Sequence, residues 1–313
     1  MRRVCISNDI EITDIEKEIL GNEISRENYD ATVYLAWNEK INNVFFDKFK
    51  SLRAVVRYGV GYDNVDVKEA QKRGIKVCII PDYGVHEVAQ SAAAFIFAKY
   101  RNIYEYNCLS KQNYLSEKWQ LPNKNIQRAN LIKVGVIGAG RIGSVLIRLC
   151  KSFGFDVLFY DPYVSQGYEK VLECKRVNIL NDLLKTSDFI SIHVPCNNET
   201  VGMINKEFLK NMKKGSTIVN TARGNLIEDY KSLEKALDSK EISNVYLDVL
   251  KTEPPLRCSF LDKWLSGYYS NRVIINPHTS FYSEQSFEEM RRKACTTAVN
   301  ILDNKDPYCE VES

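Results

Sequence analysis

Charge of one sign, paired cysteines and long apolar runs are all missing from this chain of 313 residues, and each absence removes a class of protein. Lysine and arginine together number 43 against 40 acids, a net charge of +3, and they are scattered rather than gathered into a stripe, so nucleic acid is not an expected partner. No apolar run approaches the roughly 20 residues a membrane span needs, and no membrane association is expected. The nine cysteines, an odd number, run from Cys5 to Cys309 without any C-x-x-C pair. Several, such as Cys78 and Cys150, fall in apolar runs where a thiol acts as a small hydrophobe. Neither a disulfide frame nor a metal site is therefore expected, and a reducing, cytoplasmic setting is. The opening Met1 to Asp9 has two arginines with no apolar core behind them, so a signal peptide is not expected.

What is present begins with Val134-Gly135-Val136-Ile137-Gly138-Ala139-Gly140-Arg141-Ile142-Gly143. An apolar run ends on a G-x-G-x-x-G turn and opens into the helical pattern Ser144 to Cys150, the order strand, tight loop, helix. That order suits a dinucleotide: Gly138 permits the turn, Gly140 lets the backbone approach a pyrophosphate, and Gly143 lets helix and strand pack closely, with phosphate charge at the helix N-terminus. A lone glycine turn is weak evidence. Here a second strand, Asp156 to Tyr160, follows and ends on Asp161, 18 residues beyond Gly143, about where a ribose-binding acid should stand. A carboxylate there accepts from both adenosine ribose hydroxyls and repels a 2′-phosphate, so NAD is expected rather than NADP.

The rest of the chain alternates strand and helix patterns. Short β-type runs at Val4-Cys5-Ile6, Ala31 to Leu35, Ala54 to Arg57 and Val77 to Ile80 predict a small parallel sheet of four strands. The run Glu87 to Ala98 is apolar nearly all round, which a helix tolerates only when buried. From Leu131 six further strands are suggested, at Val134, Val157, Phe189 to Ile192, Thr217 to Val219, Val245 to Leu247 and Val273 to Ile275, matching a doubly wound sheet. Ser283 to Leu302 reads as one long helix. Between the two halves, Arg101 to Asn130 is polar yet carries Tyr104, Tyr106, Tyr114, Trp119 and Leu121, too many apolar side chains for a linker and suited to packing on a second subunit.

Three stretches end in polar residues where a strand's carboxyl end should be: Asn220-Thr221-Ala222-Arg223-Gly224, Asp248 through Glu253-Pro254-Pro255, and Pro277-His278-Thr279-Ser280. Ligands of open α/β sheets lie at those ends, so Arg223, Glu253 and His278 could converge. Hydride transfer to a carbonyl needs such a set: a cation for carbonyl and carboxylate oxygens, a proton donor, and an acid that orients the donor and favours its charged form. Other readings remain for individual residues. Alone, Arg223 could be a surface ion-pair partner and Glu253 part of a solvated turn. His193 reads as structural, His86 as a surface residue, and Tyr83, Trp37 and Phe281 as either core aromatics or walls of a substrate site.

Together these motifs resemble the signatures of the D-isomer-specific 2-hydroxyacid dehydrogenases, over nearly the whole chain. Within that family, Phe153 to Tyr163 and Pro277 to Gln285 are similar to the branch of the C-terminal-binding proteins. The resemblance implies two doubly wound α/β domains with a cleft between them, a flavodoxin-like substrate domain from residues 1–98 and 281–313 and a Rossmann NAD domain from 99–280. It implies Arg223, Glu253 and His278 as the catalytic triplet, acting on a small D-2-hydroxy acid or its 2-oxo acid. Gly138, Gly140, Arg141, Ile142, Gly143, Asp161, Val194, Pro195, Thr221 and Ala222 would hold the cofactor, and Asp248 would stand beside the nicotinamide. The amides of Val60 and Gly61, with Arg57, Arg223, His278 and Phe281, would meet the substrate. Phe281 departs from the tryptophan of the C-terminal-binding proteins, and Thr279 and Ser280 replace small apolar residues or glycine, altering the site wall. A homodimer is the expected assembly. A phosphoglycerate dehydrogenase-type enzyme and an NAD-sensing corepressor-like scaffold are the alternative readings.

Overall fold

The computed structural model describes residues 3–115, 119–120 and 126–311. The chain divides into two compact units, Met1–Gly84 with Tyr282–Ser313, and Val85–Phe281. Each is built on a parallel sheet, as expected from the alternation of strand and helix patterns.

In the first unit the strands are β1 (Val4–Ile6), β2 (Ile24–Ser25), β3 (Val33–Ala36), β4 (Ala54–Arg57) and β5 (Lys76–Cys78), in the order β2-β1-β3-β4-β5. Four strands were expected and five are present, because the edge strand β2 is two residues long, too short to carry a pattern. The helix Asp14–Leu20 opens with a capping box in which the Thr13 amide and hydroxyl both donate to Glu16. The helix Glu284–Leu302 is opened by Ser283, whose hydroxyl accepts the Ser286 amide at 3.0 Å. Between these helices a charge pair is buried: Arg291 Nη1 donates to Glu16 Oε1 at 2.7 Å, with the side chains 4% and 1% exposed. The Tyr58 hydroxyl donates to the same oxygen at 3.1 Å. Burial opposes ionisation of Glu16, yet the Thr13 donors and Arg291 outweigh it and hold the carboxyl below its ordinary range.

In the second unit the strands are β6 (Lys133–Ile137), β7 (Asp156–Tyr160), β8 (Lys175–Arg176), β9 (Phe189–Ile192), β10 (Ser216–Asn220), β11 (Ile242–Leu247) and β12 (Val273–Ile275), ordered β12-β11-β10-β9-β6-β7-β8. The seventh strand, β8, is again a two-residue edge piece. Winding starts at β6 and reverses between β6 and β9, which is the doubly wound arrangement whose ligand crevice opens at the strand carboxyl ends. Both faces of the sheet are covered. Val134, Val136, Val157, Phe159 and Val219 pack on one side, and Ile137, Leu158, Ile190, Ile192 and Ile218 on the other. Period-2 alternation with both sets apolar is why these strands read as continuous hydrophobic runs.

The boundaries differ from the sequence-based ones at 98/99 and 280/281. The helix Val85–Tyr100 belongs to the second unit, because Ala89, Ala92, Ala93 and Ile96 share one core with Val136, Val145 and Leu146. Its alanines admit close approach of the helix Arg141–Ser152. After it, Ile103–Gln112 forms a helix with no buried residue, and Tyr114 and Trp119 are exposed; Leu121 lies outside the described residues.

Candidate active site

The glycine turn stands where β6 gives way to the helix Arg141–Ser152. Gly138 has φ 90, and a Cβ there would come within 2.5 Å of the His193 carbonyl oxygen. A Cβ on Gly143 would meet the Gly138 carbonyl oxygen at 1.9 Å, so helix and strand close only over glycine. Gly140 faces open space, with nothing within 4 Å of where its Cβ would be. The backbone is thus bare at the helix N-terminus, where Arg141 and Ile142 begin the first turn.

Asp161 follows β7 directly. Its Oδ2 accepts the Ala139 amide at 2.8 Å and its Oδ1 the Tyr163 amide at 2.9 Å, so the acid is aimed by the glycine turn and by its own loop. At the end of β9, His193 Nε2 lies 2.8 Å from the Ser191 hydroxyl, while Nδ1 is buried with no hydrogen-bond partner. Burial pushes this imidazole down to about 4, which keeps it neutral. Val194 and Pro195 follow it in the chain. At the end of β10, Thr221 is buried and its hydroxyl also has no partner. A bare glycine turn, an oriented acid and orphaned polar atoms on neighbouring strand ends fit a dinucleotide laid along the sheet edge.

The second cluster lies along the same edge. Asn220 closes its turn at both ends, accepting from the Ala222 amide at 3.0 Å and donating to the Arg223 carbonyl at 2.9 Å. Arg223 Nη1 donates to the Ala222 carbonyl at 2.7 Å. After β11, Asp248 is buried, and its carboxylate accepts from the amides of Thr279 at 3.0 Å and Ser280 at 3.0 Å. The His278 amide donates to the Asp248 carbonyl at 2.8 Å. These three bonds form the turn after β12 in which His278 holds φ 54, a left-handed conformation uncommon for a non-glycine residue. Asp248, expected beside the nicotinamide, therefore has both oxygens engaged in shaping this turn.

His278 Nδ1 and Glu253 Oε2 are 2.6 Å apart, and Glu253 Oε1 accepts the Leu250 amide at 2.9 Å. Burial opposes ionisation of Glu253, but the His278 ring, the Leu250 amide and the charge of Arg223 together hold the carboxyl below its ordinary range. With Nδ1 on the carboxylate, Nε2 is the nitrogen left to exchange a proton with a ligand. The Phe281 ring stands edge-on to His278, centroids 6.1 Å apart and 82° between planes.

Arg223, Glu253, His278 and Phe281 thus lie with the glycine turn and Asp161 in one unit. Arg57, Val60 and Gly61 belong to the other. There the Arg57 guanidinium sits 5.6 Å over the Trp37 ring and donates to the Tyr58 carbonyl, and Val60 is exposed in the loop that follows β4. Tyr230 belongs to none of these motifs; its hydroxyl meets the Glu253 loop at the Lys251 amide, a contact set by side-chain reach across the fold.

A glycine turn at the switch point of a doubly wound sheet, with an acid at the end of the next strand, defines a dinucleotide-binding α/β protein. The model for the D-isomer specific 2-hydroxyacid dehydrogenase NAD binding domain matches residues 93–280, and the chain belongs to that family of NAD-dependent oxidoreductases. It is 38% identical over 276 residues to a glyoxylate reductase of Korarchaeum cryptofilum, covering 87% of this chain and 79% of the relative. It is 34% identical over 277 residues to a D-3-phosphoglycerate dehydrogenase of Methanocaldococcus jannaschii, 88% of this chain but 49% of that protein, about half its length. Among solved structures, a D-lactate dehydrogenase from Aquifex aeolicus in complex with NAD and lactic acid superposes with a TM-score of 0.86 at 27% identity, covering 96% of each chain. These relatives establish the family and do not single out the branch of the C-terminal-binding proteins.

Proposed function

We propose that this protein reduces a small 2-oxo acid to the D-2-hydroxy acid with NADH, and runs the reverse reaction with NAD. The observation that carries the reading is the 2.6 Å pairing of His278 Nδ1 with Glu253 Oε2, on the same sheet edge as the glycine turn. Gly138, Gly140, Arg141, Ile142 and Gly143 cradle the pyrophosphate, Asp161 accepts from the adenosine ribose, and Val194, Pro195, Thr221 and Ala222 line the remaining edge. When bound, NADH supplies the hydride that reduces the carbonyl carbon. His278, as imidazolium, gives the Nε2 proton to the carbonyl oxygen as it becomes an alcohol, while the Glu253 carboxylate holds the ring and stabilises its charge. Arg223 binds the carbonyl and carboxylate oxygens. Asp248 holds the turn that presents His278 and would accept from the nicotinamide carboxamide. In oxidation the neutral ring accepts the hydroxyl proton.

The amides of Val60 and Gly61, with Arg57, take the substrate carboxylate, and Phe281 forms an apolar wall beside His278. Similarity to a glyoxylate reductase supports a small substrate. We read the protein as a cytoplasmic homodimer. The helix Ile103–Gln112, which buries none of its own residues, and the exposed Tyr114 and Trp119 supply apolar surface for a second copy.

The test is NADH oxidation against a panel of aliphatic, aromatic, thioether, phospho- and phosphono-substituted 2-oxo acids, with NADPH alongside. Turnover of small aliphatic acids with NADH is the expected result. Tight NADH binding without turnover of any member would sink the reading.

A further inference from the structure

The loop that carries Glu253 is held in place by a residue no motif includes. Tyr230 opens the helix Tyr230–Asp238, and its ring stacks on Phe260 with centroids 5.3 Å apart and planes 8° from parallel. Phenylalanine would fill that stack equally well. What tyrosine adds is a hydroxyl that accepts the Lys251 amide at 2.9 Å, two residues before Glu253. The Lys251 side chain reaches back in the other direction, Nζ donating to the Ile227 carbonyl at 2.8 Å and the Glu228 carbonyl at 2.5 Å. Beside these bonds the Leu250 carbonyl group packs against Gly224, so close that a Cβ there would come 2.0 Å from it. Arg223 immediately precedes Gly224. The loop that carries Glu253 is therefore fastened to residues 227–230 by Tyr230 and Lys251, and to the turn that carries Arg223 by a backbone contact at Gly224.

We propose that the Tyr230 hydroxyl is a positioning group for the Glu253–His278 pair, fixing the 250–253 loop where the carboxylate meets the imidazole. The inference rests on the reading of that pair as the proton-transfer machinery. Without the hydroxyl the Lys251 amide loses its acceptor, and a partly buried amide left unpaired costs more than the bond itself contributed, so the loop shifts to satisfy it. A short charged contact such as that between Glu253 and His278 is sensitive to displacements well under 1 Å. The titratable groups bearing on Tyr230 are Cys258 and Glu253. Those bearing on Glu253 are His278 and Arg223.

The experiment is the pH profile of kcat/KM for 2-oxo acid reduction, measured on Tyr230→Phe, Glu253→Gln and the unaltered protein between about pH 6 and pH 9. Reduction needs the imidazolium, so weakening its carboxylate partner moves the alkaline fall in rate to lower pH. Tyr230→Phe is expected to move that limb in the same direction as Glu253→Gln but less far. At the alkaline end it lowers kcat/KM about fivefold, the worth of one hydrogen bond. NADH affinity and Tm stay near those of the unaltered protein. Lys251→Met, which releases the same loop from its other side, moves the limb the same way. A Tyr230→Phe profile that coincides with the original, or that drops uniformly without moving, overturns the proposal. If the limb stays in place in Glu253→Gln as well, the reading of the catalytic pair fails too; if it moves only in Glu253→Gln, the role of Tyr230 alone is lost.

Discussion

In the five-stranded unit an oppositely charged pair is buried between two helices, whereas in the seven-stranded unit the candidate catalytic pair stands half-exposed past the strand ends. Glu16, Arg291 and Tyr58 are sealed among apolar side chains, and Arg291 also lies over the Phe287 ring at 4.6 Å. His278 and Glu253 meet at a similar distance with more than a third of each side chain exposed. Two parallel sheets of similar construction thus place charge in opposite settings. A sealed pair can only hold elements together, here the helices Asp14–Leu20 and Glu284–Leu302, while an open pair can pass a proton to a ligand. Burial, more than residue type, separates structural charge from candidate catalytic charge.

Substitutions that break one setting should leave the other standing. The largest effect is expected from His278→Ala, which lowers kcat for 2-oxo acid reduction about a thousandfold with NADH affinity retained. Steady-state kinetics and NADH fluorescence titration check it. Retained turnover would remove His278 from the chemistry. Next, Arg291→Met leaves the Glu16 carboxylate buried without its partner and destabilises the five-stranded unit by about 3 to 5 kcal/mol, read as a fall in Tm. The same pair gives the pH response. The folded Glu16 carboxyl lies below its ordinary value of 4.5, so its contribution is present above that pH and is lost as the medium falls through the lower folded value. Glu16→Gln should accordingly flatten the acid limb of a Tm-against-pH curve.

If Asp161 accepts from the adenosine ribose as proposed, Asp161→Ala should weaken NADH binding about tenfold and lower the ratio of NADH to NADPH affinity, because the variant lacks that acceptor and the charge that would repel a 2′-phosphate. Calorimetry with both cofactors checks it, and an unchanged NADH-to-NADPH ratio would count against the role of Asp161. The smallest effect belongs to an exposed pair. Lys76→Ala breaks the 2.7 Å contact with Glu310, both side chains over two-fifths exposed, and should change stability by less than about 1 kcal/mol in a denaturant titration.

Much of the candidate site was legible because its parts are local. The turn from Gly138 to Gly143 records a backbone requirement, and Asp161, Arg223, Glu253 and His278 each stand just past a run of strand-forming residues. The two-residue strands β2 and β8 were not legible, since a period needs length to show. Nor was the allegiance of the helix Val85–Tyr100: an all-round apolar helix announces that it is buried, not against what.

The chain on its own therefore determined the α/β class, the dinucleotide turn and the polar residues at strand ends, because each follows from neighbours a few positions apart. Only the tertiary structure decided that Glu253 reaches His278 across 25 residues, that Tyr230 holds the Lys251 amide, and that Arg291 finds Glu16 across 275. Such pairings depend on side-chain reach and burial after the sheets have formed, and no local period or turn preference encodes them.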